Sequence, residues 1–186
     1  MRKAIAELIQ TLQPFDRLEN EQIAQTLRWI ESGAALFRIR KPDVPTPHLV
    51  SYFVLVDSQA NKILLVDHKK SGLWLPAGGH VEIDEDPRQT VCREVQEELQ
   101  IPADFLLADP LFLTVTETVG AVTKHVDVSL WFVLTGDSTR SLAFDEAEFY
   151  QIRWFAPDQL PLDRCDPHLQ RFVEKLSSTQ VLTKHH

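Results

Sequence analysis

From His48 onward, apolar residues come in strand-length runs, and one helical stretch alone interrupts them before the C-terminal region. This ordering constrains the fold more than any other feature. "HLVSYFVLVD" and "NKILLVD" flank Ser58-Gln59-Ala60 and read as a hairpin. "GLWLPAGG" reads as a short strand running into a Pro/Gly loop. A helix follows from Asp86. Then "LFLTVTETV", "KHVDVSLWFVL" and "YQIRWFA" supply three more strands, rich in β-branched and aromatic residues. A closing helix from about Pro167 to Leu176 carries Leu169, Phe172, Val173 and Leu176 at helical spacing. Strands, a central helix, strands and a final helix predict an α+β or α/β sandwich rather than a regularly alternating βαβ fold.

The first 40 residues have a different pattern. Ile5, Leu8, Ile9 and Leu12 share one helical face, which Pro14 ends. Asp16 with Glu19 resembles a capping box that opens a second helix through about Ser32, with Gly33 as its C-cap. Its apolar stripe is Ile23, Leu27 and Ile30. These stripes need a partner surface, and the expected partner is the chain's own downstream domain rather than a second copy. "RKPDVPTPH" holds three prolines and reads as a linker.

A chain of 186 residues suffices for one well-buried domain plus a small extra element. The net charge of −8 argues against a binder of nucleic-acid backbones, which carries a basic patch. It does not exclude a nucleotide arriving with metal ions. Cys92 and Cys165 show neither a CxxC pattern nor zinc-ligand spacing, and read as reduced thiols of a cytosolic protein. No apolar run approaches the roughly 18 residues of a membrane span. The N-terminal MRKAIAELIQTLQPF lacks a continuous signal core, so the expected location is cytoplasmic. Lys184-His185-His186 is assigned no function.

The central helix has Asp86 as N-cap, Pro87 in the first position and Gln89 completing a capping box. At about 100° per residue, Val91, Cys92, Val95 and Leu99 fall on one core-facing arc, and Glu94, Glu97 and Glu98 on the adjacent arc. Each like-charge pair at this spacing costs about 0.2–0.5 kcal/mol. Arg93 reaches Glu97, but neither Glu94 nor Glu98 has a basic residue four positions ahead. One reading is a solvated acidic face. The other is a site for a hard divalent cation, which takes carboxylate oxygens.

Gly79, five residues, Glu85, seven residues, then Arg93-Glu94-Val95-Gln96-Glu97-Glu98 has the spacing of the Nudix box. Six fixed positions at roughly 6% frequency each recur by chance about 5 × 10⁻⁸ times per starting point. The chain therefore resembles the Nudix hydrolases. "LWLPAGGHVE" before the helix and "IRWFAPDQL" after it extend the resemblance. One departure is Gln100 in place of the usual glycine, a left-handed helix end that costs Gln about 1 kcal/mol. The resemblance implies an α+β Nudix fold, an α/β/α sandwich on a mixed sheet. It divides the chain into a helical extension (1–40), a linker (41–47) and the Nudix domain (48–180). It implies Mg²⁺-dependent hydrolysis of a nucleoside diphosphate linked to a moiety X, with Mn²⁺ as an alternative ion. Glu94, Glu97, Glu98 and the Gly78 carbonyl become the metal ligands, with Gly79 and Glu85 supporting them. Arg93 holds the carboxylates, and Glu94 or Glu97 takes a proton from water. A further acidic ligand is expected from "FDEAEF", which contains Asp145, Glu146 and Glu148.

Other residues are weaker candidates. His125 and Asp127 share a strand face with Ser129 and Trp131 and would line the pocket or a polar outer face. His80 would touch phosphate or solvent, as would His68, Lys69 and Lys70. Trp74, Trp154, Phe112 and Trp131 read as core. Two alternatives to hydrolysis are a ligand-sensing domain without turnover and a diphosphate isomerase. The intact carboxylates argue against the first, and the placement of Cys92 and Cys165 against the second. Thr116-Glu117-Thr118 carries neither the proline of ADP-ribose hydrolases nor the tyrosine of dinucleoside polyphosphate hydrolases. The expected partner is a small nucleotide or other diphosphate, bound by a monomer or homodimer, with no membrane involved.

Overall fold

A computed structural model describes residues 1–40, 44–118 and 125–182. Linker residues 41–43, strand-end residues 119 and 124, and Lys184-His185-His186 lie outside the described residues. The elements run α1 (Arg2–Gln10), α2 (Arg17–Glu31), β1 (His48–Asp57), β2 (Lys62–His68), β3 (Leu73–Leu75), β4 (Ala77–His80), α3 (Pro87–Leu99), β5 (Phe112–Thr118), β6 (His125–Thr135), β7 (Phe149–Phe155) and α4 (Leu169–Ser178).

The strands form one mixed sheet in the order β3-β2-β1-β6-β5. β1 runs parallel to β6, with His48 beside Asp127 and Tyr52 beside Trp131. The other pairings are antiparallel. β1 meets β2 at Val56 and Asp57, and at its opposite end pairs β4 from Val50 to Phe53. The Pro/Gly stretch expected as a loop is therefore a strand from Ala77 to His80. Its glycines carry no strand propensity of their own, and the ladder to β1 imposes the extended conformation.

Alternation divides the sheet between two cores. Leu49, Phe53, Leu55, Leu130 and Phe132 pack with Val91, Val95 and Leu99 of α3 and with Ile5, Leu8, Ile9 and Leu12 at the N-terminus. Val54, Val56, Trp131 and Val133 point the other way, onto Leu169, Phe172, Val173 and Leu176 of α4. This is an α/β/α sandwich, and the N-terminal helices belong to one of its outer layers. The stripe expected on α1 is buried as expected.

The stripe expected on α2 is corrected. Its buried residues are Glu19, Gln22, Thr26 and Ile30, while Ile23 and Leu27 are only partly buried. The reason lies in β5, which ends the strand order and has a backbone edge to satisfy. Glu19 Oε1 accepts the N–H of Leu113 at 3.2 Å, and Gln22 Nε2 donates to the Val115 carbonyl at 3.1 Å. Asp16 caps α2 by accepting the N–H of Glu19 at 2.8 Å. The Glu19 side chain reaches the N–H of Phe15, so the expected box is shifted by one residue. α4 clasps this arrangement in two places. Arg171 pairs with Asp16 at 2.7 Å, and its hydrogen bonds hold the Asp16 carboxyl down at about 2. Lys175 Nζ lies 2.8 and 2.9 Å from the two oxygens of Glu19, with both side chains buried.

Removing one partner of a buried ion pair strands the other in low dielectric, at a cost of about 3–5 kcal/mol. Lys175→Met is expected to lower unfolding free energy by that amount in urea titration. The double change Glu19→Gln with Lys175→Met should recover a large part of it. A single variant within about 1 kcal/mol of wild type would show that the pair contributes as little as a surface bridge does.

Candidate active site

The site begins with two glycines. Gly78 has φ of 136°, and a Cβ there would lie 2.1 Å from the Ser51 carbonyl oxygen. At Gly79 a Cβ would lie 2.1 Å from Glu94 Oε1. β4 thus lies tightly between β1 on one side and a carboxylate of α3 on the other. α3 is aimed by its cap: the Asp86 side chain accepts the N–H of Arg88, and the Gln89 side chain accepts the N–H of Asp86, with Pro87 in the first turn. At the far end Gln100 occupies the left-handed region, φ 56° and ψ 32°, as the departure from glycine predicts.

Arg93 is the hub. Its guanidinium donates to both oxygens of Glu85 at 3.0 Å, to Glu94 Oε1 at 2.6 Å and to the His80 carbonyl at 3.2 Å. Glu97 Oε2 is 3.6 Å away. Burial works to raise Glu85, but hydrogen bonds from Arg93, the Glu82 N–H and Thr90 outweigh it and hold its carboxyl below the ordinary range. Glu94 moves up, because burial outweighs the bond from Arg93. Glu98 is 4% exposed and accepts the N–H of Gly78 at 2.9 Å. Burial first, then the charges of Glu94 and Glu148, push it up to about 9. Arg93 thus bonds Glu85 and Glu94 closely and leaves Glu98 to the acidic field. Glu97 is 61% exposed and reaches solvent.

The acidic loop joins this group. The Asp145 N–H bonds to the Glu98 carbonyl at 2.8 Å, which ties the loop to the end of α3. Of its three acids, Glu148 is the one whose charge raises both Glu94 and Glu98. Glu146 and Asp145 line a cleft with Glu97 and Gln100. Lys69 donates to the Glu146 carbonyl, and its N–H bonds to the Glu148 carbonyl at 2.9 Å, so the turn after β2 braces the loop. Lys70 is exposed. His68 is half-buried, and its Nδ1 lies 3.3 Å from the N–H of Ser71.

His80, His125 and Asp127 gather with His48, where β1 begins. His48 was not legible as a site residue from its neighbours. It opens the first strand, and only the β1–β6 register sets it beside Asp127. Cys92, expected on the core-facing arc, is exposed. Thr90 and Glu98 take the flanks of the buried face of α3 instead, so the face is turned away from Cys92. Phe112 and Trp131 are fully buried, Trp74 is buried, and Trp154 packs partly buried against the core, as core residues do.

A family model described as the NUDIX domain matches residues 47–176. The chain belongs to the Nudix family. Its members hydrolyse nucleoside diphosphates linked to a second moiety, and this Nudix protein is a hydrolase of pyrophosphate bonds. Among solved structures it resembles a MutT NUDIX hydrolase from Burkholderia pseudomallei, at 24% identity and TM-score 0.55 over 69% of this chain and 96% of that one. It also resembles a NUDIX-family hydrolase from Clostridium perfringens, at 21% identity and TM-score 0.54 over 71% and 97%. A third is the dihydroneopterin triphosphate pyrophosphohydrolase of E. coli, at 16% identity and TM-score 0.57 over 70% and 95%. At these identities the likeness is one of Nudix fold. No curated protein matches the chain. No helix among the described residues is long and apolar enough to cross a membrane.

Two substitutions test this geometry. Gly79→Ala should displace the Glu94 carboxylate and break its bond to Arg93. Misplacing a positioned group by about 1 Å costs roughly 10²-fold in turnover, with little change in thermal midpoint because a side-chain end yields. Steady-state kinetics beside a melting curve reads both. Gln100→Gly should relieve the left-handed strain and stabilise the fold by about 1 kcal/mol in urea titration.

Proposed function

We propose that the carboxylates of α3 bind Mg²⁺, or Mn²⁺, and that the protein cleaves a nucleoside diphosphate linked to a moiety X. The observation that carries this reading is the unbalanced negative charge around Glu98. Four carboxylates (Glu94, Glu97, Glu98 and Glu148) act on one another, and burial with this repulsion lifts Glu98 to about 9. A hard cation with oxygen ligands relieves such a cluster. The donor set is all oxygen, and the Gly78 N–H bonded to Glu98 sets that residue against the carboxylates. The glycines keep this cradle clear of side chains.

In this reading Glu94, Glu97, Glu98 and the Gly78 carbonyl hold the ion, with Glu148 as the further acidic ligand from outside the box. The ion supplies neutralisation of phosphate oxygens and acidification of water. Arg93 and Glu85 fix Glu94 in one rotamer, so the carboxylate is in place before substrate arrives. Among the described residues the nearest ion-pair partner of Glu97 is Arg93 at 3.6 Å, and the side chain is 61% exposed, so a Glu97 oxygen not on the ion can take a proton from the attacking water. The phosphate leaving group departs in line with that attack.

Glu97→Gln keeps shape and removes a charge. It should lower turnover by at least about 10²-fold, the range of a general-base contribution, with the fold unchanged. The check is released phosphate or pyrophosphate, measured with nucleoside triphosphates, nucleotide sugars, ADP-ribose and dinucleoside polyphosphates under Mg²⁺ and Mn²⁺. Wild-type rates on every active substrate would remove Glu97 from the site.

A further inference from the structure

On the sheet face that α4 covers, four side chains converge that hydrolysis does not use. His48, His80, His125 and Asp127 each offer a ligand atom, and these atoms lie within 4.8 Å of one another. Alternation along β1 and β6 puts His48 and Asp127 on the face of Val54 and Trp131, away from the buried side of α3. The donors are three imidazoles and one carboxylate, a borderline-soft set unlike the all-oxygen set around Glu98.

The bonding of His48 adds a second observation. Its Nδ1 lies 2.7 Å from the Pro45 carbonyl oxygen, which only accepts, so Nδ1 carries the hydrogen. Its Nε2 lies 3.0 Å from Asp127 Oδ1. In the neutral imidazole this sets a nitrogen lone pair against a carboxylate oxygen. Either a proton or a metal ion must lie between them. The first case places the proton on Asp127 or makes a buried imidazolium–carboxylate pair, since His48 is fully buried. The second matches the usual arrangement of a metal-bound histidine, whose other nitrogen donates to a backbone carbonyl. His125 Nε2 is 3.4 Å from Asp127 Oδ2, and the His48 and His125 rings stack at 5.4 Å. Ligand atoms about 3.3–3.4 Å apart are the edge of a tetrahedron with bonds of about 2.0–2.1 Å. Arg38 lies 3.4 Å from His80 Nε2, so His80 binds an ion only with its other nitrogen or after Arg38 moves.

We propose that His48, His125, Asp127 and His80 form a four-coordinate zinc-class metal site, separate from the carboxylates of α3. It would tie the start of β1 to β4 and β6. Through His80 it would also fix the short strand that carries Gly78 and Gly79.

The test uses the full chain, stripped with chelator and then titrated with Zn²⁺ or Co²⁺ in excess Mg²⁺. One equivalent should bind, and the cobalt form should show the intense visible bands of a four-coordinate, nitrogen-ligated ion. His125→Gln and Asp127→Asn should each weaken binding by at least about tenfold, while Glu97→Gln leaves it unchanged. The proposal is overturned by absent binding in the wild type, by the weak spectrum of six oxygen ligands, or by an ion lost with Glu97→Gln instead. The wild-type cobalt spectrum decides the matter even where a variant does not fold. A stoichiometric site with no hydrolytic activity on any substrate would sink the proposed function and leave this site standing.

Discussion

Two absent methyl groups hold the molecule's working end together. Without a Cβ at Gly78 the backbone of β4 closes onto Ser51, and without one at Gly79 it closes onto Glu94. β4 is thus the one layer of backbone between β1 and the carboxylates. Everything else at this end is referred to it: Glu98 bonds its N–H, Arg93 bonds its last carbonyl, and His80 leaves it toward the histidine group. A strand with almost no side chains is fixed by its neighbours from both sides, and so holds them at fixed spacing.

Charge is distributed unevenly across this frame. Arg93 serves the loop through Glu85 and the helix through Glu94, and brings them to a common geometry. Among the described residues no comparable cation is bonded to Glu98, and burial, then the charges of Glu94 and Glu148, raise its proton affinity. The protein tolerates that local cost because the sandwich around it is well packed. Marginal stability is a total, and one unfavourable cluster is offset by burial in two cores.

The strands, the α3 cap and the spacing of the box were legible because each depends on residues near in sequence. The apolar run "HLVSYFVLVD", buried along both faces, marks β1 by its length and the turn after it, and Asp86, Pro87 and Gln89 mark the start of α3. What was illegible depends on distant partners. The extended form of Ala77–His80 comes from its ladder with β1, against the grain of two glycines. The buried face of α2 is set by Glu19, whose partner Lys175 lies 156 residues away. His48 joins Asp127 only through the parallel register of β1 and β6.

The cover that α2 lays along β5 has a consequence for how this chain meets its own copies. Leu113 and Val115 present their backbone to Glu19 and Gln22, where another chain's strand would otherwise add itself. A glutamate locked to a lysine cannot be swapped for a neighbouring peptide without stranding two charges. The first helices therefore act as a guard against cross-β association. Their loss would show less as a softer fold than as a chain that sticks to itself in the test tube.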